Sequence, residues 1–440
     1  MKKNKLFFVS LGCDKNRVDS ERMLGLLEAA GFSFTDDEFE ADVIVVNTCC
    51  FIEDAKMESI DMILEMAAMK TEGKCRKLIV AGCLSERYRD EILSEFPEVD
   101  AYIGTSDLTE ILTVCKLDDE DITSIPIPGR IITTPGHYEF LKIAEGCNKY
   151  CTYCIIPYIR GKFRSEEMED LIREAKKLAE SGVKELILVA QDTAVYGTDL
   201  YGVNRLPELL SCLCQIHGLE WIRILYTYPE EITDEFLQTM AKLPKVCHYI
   251  DMPIQHASDN ILRKMGRRTN HDALVSVINR AREIMPDVIL RTTLISGFPS
   301  ETDADHEALC DFVREMKFDH LGVFTYSQEE GTKAAEMPDQ IDEPVKIKRR
   351  DELMQIQEQI AAEKMTKHAG KTFKVLIDGY LPEDDIYVGR TYMDAPEVDG
   401  FFYVSAEEQL NSGDMIYAEC KSSNAYDLYG EMIKRYESAE

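Results

Sequence analysis

Cys147, Cys151 and Cys154 form a C-x3-C-x2-C run in a chain of 440 residues. Three thiolates on one short loop can grip three irons of a cubic 4Fe–4S cluster, and no further cysteine follows within the loop to take the remaining iron. An iron without a protein ligand is an open coordination position, which is where a metal site does chemistry. Zinc is the competing reading of the same thiols, although closed zinc sites need four ligands, usually from two knuckles.

A second set is spread through the first hundred residues. Cys13, Cys49 and Cys83 each follow an apolar run that reads as a strand: Leu6–Leu11, Val43–Asn47 and Lys77–Ala81. In an open parallel sheet the loops past the carboxyl ends of the strands converge on a ligand, so these three cysteines are candidates for a second three-thiolate cluster. The competing reading is three small buried residues, a common fate of free cysteine. Cys50 adjoins Cys49, and neighbouring side chains of an extended chain point opposite ways, so both cannot face one centre. Cys212 and Cys214 do not share a helical face. With Cys75, Cys115, Cys247, Cys310 and Cys420 they read as packing residues.

The elements that must position these thiols fall into three units. Residues 1–125 alternate strands with helices at Ser20–Ala30 and Ala55–Met69, a pattern that predicts an open parallel α/β sheet. A proline-bearing linker is expected over 126–139. Residues 140–342 carry six strand–helix units, with strands near Lys142–Glu145, Glu185–Ala190, Ile222–Tyr226, His248–Asp251, Val288–Thr293 and Leu321–Thr325. Six such units predict a partial (βα)6 TIM-like barrel, with its site at the carboxyl edge of the strands. The cysteine loop leaves the first of these strands. A helical connector over 343–369 leads to 370–440, where five short strands predict a small antiparallel OB-like β-barrel.

The formal charge is −31. Neutralising a phosphate backbone takes clustered Lys and Arg, so direct nucleic-acid binding is not expected and a basic protein partner fits better. From Lys371 onward there are 15 acidic and 6 basic side chains, a balance of −9, with Asp394, Glu397 and Asp399 in one turn region expected to meet basic groups of a partner. A merely solvated acidic surface is the alternative. The apolar start is too short for a signal peptide, and no run reaches the roughly 20 residues of a membrane span. A cytoplasmic, reducing location follows, with the thiols free or metal-bound.

The Cys147–Cys154 run, with Tyr153 before its last cysteine, resembles the radical S-adenosylmethionine (SAM) superfamily. Ser10–Asn16 (SLGCDKN), Asn47–Cys49 (NTC), Ala81–Cys83 (AGC) and Cys154–Gly161 (CIIPYIRG) are similar to the methylthiotransferase family, across nearly the whole chain. That family joins an N-terminal domain with an auxiliary cluster, a radical SAM core and a C-terminal TRAM domain. Ile254–Ala257 and Tyr392–Gly400 resemble the branch that modifies small-subunit ribosomal protein S-twelve, rather than the branch that modifies tRNA adenosine. A non-enzymatic Fe–S or RNA-binding protein is the rival from another class.

The resemblance implies two 4Fe–4S clusters, on Cys147, Cys151 and Cys154 and on Cys13, Cys49 and Cys83, with Cys49 favoured over Cys50. It implies SAM as cosubstrate, a deoxyadenosyl radical, and a methylthio group placed on the β-carbon of an aspartate. An electron donor, a sulfur donor and a monomeric enzyme are implied as well. Gln191 and Asp192 stand where the superfamily holds the SAM ammonium, although Ala190-Gln-Asp departs from its usual Gly-Gly-Glu run. Arg291 is a candidate for the SAM carboxylate, or else a structural ion pair. Gly297 lies in a segment resembling the one that lines the adenosine, where it would allow close backbone approach. Gln255 and His256, at the rim after the fourth strand, are candidate substrate contacts; a satisfied loop histidine is the alternative. Tyr153 and Phe163 would shield the cluster or simply pack.

Overall fold

The computed structural model describes residues 4–117 and 129–437. The first unit is a five-stranded parallel sheet of β1 (Lys5–Ser10), β2 (Ser33–Phe34), β3 (Val43–Thr48), β4 (Lys77–Gly82) and β5 (Ala101–Ile103), in the order β2-β1-β3-β4-β5. Every residue of β3 is buried, as a central parallel strand covered on both faces requires. Helix α1 (Asp14–Ala29) starts several residues before the run expected from sequence, and α2 (Glu53–Glu72) extends its expected run slightly at both ends. The short helix α3 (Cys83–Arg87) follows β4 directly.

The core strands are β6 (Tyr138–Lys142), β9 (Glu185–Val189), β10 (Trp221–Ile224), β11 (Tyr249–Asp251), β12 (Ile289–Ser296) and β13 (His320–Thr325), while β7 (Ala144–Glu145) and β8 (Arg164–Ser165) form a small antiparallel pair beside the cysteine loop. The six parallel strands pair in sequence order, as two groups of three joined by a bridge from Ile222 to Val246. This is the expected incomplete barrel. Its first strand starts earlier than the sequence pattern suggested, so Tyr138 and Glu139 belong to the core and not to a linker. Residues 126–128 of that expected linker lie outside the described residues. The part that follows is no free spacer, since the Arg130 guanidinium is buried against Glu21 and Glu139.

The connector helix Glu343–Met365 packs along the outside of the last core strands and helix. It leads to β14 (Thr372–Leu381), β15 (Ile386–Arg390), β16 (Phe402–Ser405), β17 (Met415–Ser423) and β18 (Leu428–Arg435), which close into a barrel. The ladders are antiparallel except for β16 on β18, which run parallel. The barrel shares a hydrophobic core with the amino ends of the larger barrel's strands: Val375, Phe402 and Ile416 cluster with Tyr138, Trp221, Tyr249 and Ile289. Buried ion pairs from Arg223 and Arg390 to Glu185 lock this end. The carboxyl end is left to the N-terminal unit and the cysteine loop.

Candidate functional site

The N-terminal triad is assembled by three loop ends tied to one another. Asn16 Nδ2 donates to the Leu11 carbonyl at 2.6 Å and the Thr48 carbonyl at 3.3 Å, binding the loop after β1 to the end of β3. Thr48 Oγ1 donates to the Ala81 carbonyl, binding β3 to β4. Gly12 has φ +88°, and a Cβ there would stand 2.7 Å from Cys49 Cβ and 3.1 Å from its Sγ, so only glycine lets these two loops meet. Cys13 stands at the residue before α1 and Cys83 opens α3. Cys49 and Cys83 are buried and Cys13 is exposed. Burial pushes the Cys83 thiol up to about 12 and raises Cys49, so these sulfurs stay protonated until a cation takes the proton's place. Cys50 is fully buried in the apolar cluster around Val46, Ile63 and Leu84.

The core triad is built locally. The Cys154 N–H donates to the Cys151 carbonyl within the loop, while the Cys147 N–H donates to the Gly161 carbonyl and the Thr152 N–H to the distant Met265 carbonyl, which anchor it to the barrel. Burial pushes Cys147 up to about 11 and Cys154 up to about 12. Tyr153 packs edge-on against Phe298, and Phe163 sits in the main core.

Gln191 and Asp192 come to this loop. Gln191 Nε2 donates to Glu145 Oε1 at 2.6 Å, and Asp192 contributes electrostatically at Cys147. Burial pushes Asp192 up to about 6, against the pull of Lys149, whose ammonium lies 3.5 Å away. Gln191 Oε1 is a buried acceptor with no hydrogen-bond partner, and Asp192 Oδ2 faces only the Lys149 ammonium. Acceptors so placed beside a thiol loop fit an ammonium ligand.

The other sequence candidates part company with the site. Arg291 is the structural ion pair: it contacts Asp251 at 2.8 Å and Asp399 at 3.5 Å. Gly297 has φ +72°, but a Cβ there would meet Lys346 Cγ at 2.2 Å, so its small size admits the connector helix. His256 is fully buried, accepts from the Ser258 N–H at Nδ1, leaves Nε2 without a hydrogen-bond partner and is pushed down to about 3 by burial. Gln255, at φ +69°, joins its backbone to β12. Asp394 is buried and accepts from Thr391, and Asp399 accepts from Tyr249 and the Ala395 N–H. Glu397 takes a bidentate contact from Arg17 and another from Tyr138. All three acids were expected to face a partner; the Asp394 and Asp399 side chains are instead buried where the domains meet, and Glu397 stays exposed while it holds Arg17.

Sequence reasoning missed the charges between the triads. Arg160 and Lys142 bridge Asp19 of α1 and Glu145 of the core, all buried. Lys15 lies with its ammonium 3.4 Å from the centre of the Tyr226 ring, whose hydroxyl donates to Asp14. The available signal was charge inside motifs otherwise read for their cysteines, Lys15 in SLGCDKN and Arg160 in CIIPYIRG.

Known proteins bear on this arrangement. Residues 5–104 match the uncharacterized protein family UPF0004, residues 141–313 the Radical SAM superfamily and residues 369–433 the TRAM domain. A ribosomal protein uS12 methylthiotransferase RimO from Lachnoclostridium phytofermentans is 56% identical, over 97% of this chain and 99% of its own length. One of the same name from Clostridioides difficile is 50% identical, over 98% and 99%. Among solved structures, the radical SAM methyltransferase TsrM from Kitasatospora setae superposes with a TM-score of 0.55 over 74% of this chain and 75% of its own, at 13% identity, a likeness of fold alone.

Proposed function

We propose, from the premise that this chain belongs to the ribosomal protein uS12 methylthiotransferase family, that Cys147, Cys151 and Cys154 hold one 4Fe–4S cluster and Cys13, Cys49 and Cys83 the other. The enzyme is a radical SAM methylthiotransferase acting on an aspartate of uS12, with two 4Fe–4S clusters and SAM as its cofactors. When bound, these groups supply a hydrogen-abstracting radical at the core triad and sulfur at the N-terminal triad.

The observation that carries the assignment is the buried charge cluster of Asp19, Lys142, Glu145 and Arg160 that joins the N-terminal unit to the core, in which Arg160 donates to Cys83 and Glu145 stands two residues before Cys147. Two centres with separate tasks on one carbon must stand on either side of it. Gln191 Oε1 and Asp192 Oδ2 are the acceptors for the SAM ammonium, and the approach of that cation draws Asp192 toward its ionised form. Burial of Cys49, Cys83, Cys147 and Cys151, and of the charges between the N-terminal unit and the core, limits the entry of water to the space where the radical acts.

The basic partner is met by acids that remain exposed, Glu383 and Asp384 in the β14–β15 turn and Glu407 before β17. Attraction of this kind steers encounter and orientation, and fades as salt screens it. The enzyme works as a monomer in the cytoplasm, with an electron donor and a sulfur donor to renew what each turnover consumes. The test is mass spectrometry of uS12 and of tRNA after incubation with the anaerobically reconstituted chain, SAM, a reductant and sulfide. The expected result is one methylthio group on a uS12 aspartate and none on tRNA. Modified tRNA adenosine with untouched uS12 would return the sister branch.

A further inference from the structure

We infer that Arg160 is a positioning residue for the N-terminal triad, reaching it from the radical SAM core and setting the electronic environment of the metal centre held there. The inference rests on the assignment of Cys13, Cys49 and Cys83 to a cluster. Arg160 belongs to the core's own cysteine segment and follows the short helix Ile156–Ile159. Its guanidinium nevertheless points across the domain boundary, where Nη2 donates to Cys83 Sγ at 3.2 Å. The side chain is 2% exposed.

Its remaining contacts hold it in that pose. Nη2 also donates to Asn16 Oδ1 at 3.0 Å, and Nη1 donates to Asp19 Oδ2 at 2.6 Å and Glu145 Oε2 at 3.2 Å. Asn16, Asp19 and Cys83 come from the N-terminal unit. Glu145 comes from the core, just before Cys147, and its other oxygen accepts from Gln191. The planar fork of a guanidinium meets such a spread of acceptors, and a lysine ammonium does not. Lys142 and Arg160 balance Asp19 and Glu145, so a thiolate on Cys83 meets the cation through a charge-assisted hydrogen bond in a dry setting.

A positive donor on a cluster thiolate stabilises the more negative, reduced state and raises the reduction potential of that centre. At the core triad the direct donor is a backbone N–H from Lys149, 3.5 Å from Cys147 Sγ, and the Lys149 and Arg267 cations act on Cys147 and Cys151 only electrostatically. Arg160 therefore gives the N-terminal centre a direct charged donor to a sulfur, and it places that centre a single side chain from the group that holds Gln191.

The experiment uses the full chain with Cys147, Cys151 and Cys154 all changed to Ala, so that only the N-terminal centre is loaded. Iron content and an EPR-monitored reductive titration are then compared with and without Arg160→Gln and Arg160→Lys. Arg160→Gln is expected to keep its iron, to shift the midpoint potential to a more negative value and to alter the EPR signal. Arg160→Lys, which keeps the charge and loses the fork, is expected to fall between. Full iron with an unmoved potential and signal overturns the inference. If Arg160→Gln undocks the domains by leaving Asp19 and Glu145 unpaired, Arg160→Lys decides alone: a shift supports the inference, and an unchanged potential overturns it. A parent triple variant that binds no iron overturns the cluster assignment itself, and is distinguished by failing before Arg160 is touched.

Discussion

The two cysteine triads reach similar ends by opposite routes. Cys147, Cys151 and Cys154 share one loop, folded by its own backbone hydrogen bonds and short contacts to neighbouring segments. Cys13, Cys49 and Cys83 come from three strand ends, and they meet only because Asn16 and Thr48 tie those ends together. The first site is robust because its loop-closure cost is small, and the second depends on the whole sheet having formed. The difference extends to their surroundings: the N-terminal triad borrows a cation from another domain, and the core triad is served from its own barrel.

The comparison breaks most visibly if the triads are removed one at a time. Changing Cys147, Cys151 and Cys154 to Ala is expected to remove about half the iron and abolish SAM cleavage, because cubic clusters carry equal iron. Changing Cys13, Cys49 and Cys83 should also remove about half the iron, yet leave SAM cleavage measurable by the release of deoxyadenosine. Cys50→Ala should keep all the iron, because Cys50 packs in the apolar core. Retained iron in the Cys13, Cys49, Cys83 variant would falsify the second site.

A subtler break spares every ligand. Gly12→Val forces a branched side chain into φ +88° and against Cys49, which costs on the order of 1–3 kcal/mol of local strain. The expected outcome is loss of N-terminal iron with core iron and SAM cleavage retained. Equal loss from both triads would mean that the two sites are not independent.

The smallest effect concerns the far end of the barrel. Burial pushes Asp394 up to about 6, with Asp399 nearby adding to the shift. The folded chain then holds a proton that the unfolded chain has already released, so this residue's contribution to stability falls as pH rises from about 4 to about 6. Asp394→Asn should remove that dependence. Its advantage over the parent should grow across the same window by on the order of 1–3 kcal/mol and level off above it, as read by denaturant unfolding at several pH values. A constant difference across the range would show that Asp394 is ionised in the fold.

That region also marks where charge patterning misled. The acidic excess after Lys371 was legible in the sequence, but which acids face solvent was not. Asp394, Glu397 and Asp399 fall in the segment that joins the small barrel to the large one, where Tyr249, Thr391 and Arg17 engage them. Arg291 and Gly297 misled similarly, since an arginine near a site and a glycine on a rim look the same whether they meet a ligand or another helix.

The sequence by itself determined the three-unit architecture, the core thiol loop and the candidates for the second triad. Those are local signals: the alternation of apolar runs with helical periods, and the spacing of cysteines along a few residues. Only the tertiary structure decided that Asn16 joins two strand ends, that Gln191 carries an orphaned acceptor and Asp192 a Lys149-facing one beside the thiol loop, and that Arg160 leaves its own motif to meet Cys83. A side chain's partner across a domain boundary depends on how two surfaces pack. Burial then fixes its charge state, because desolvation and hydrogen bonding act on distances that no spacing along the chain encodes.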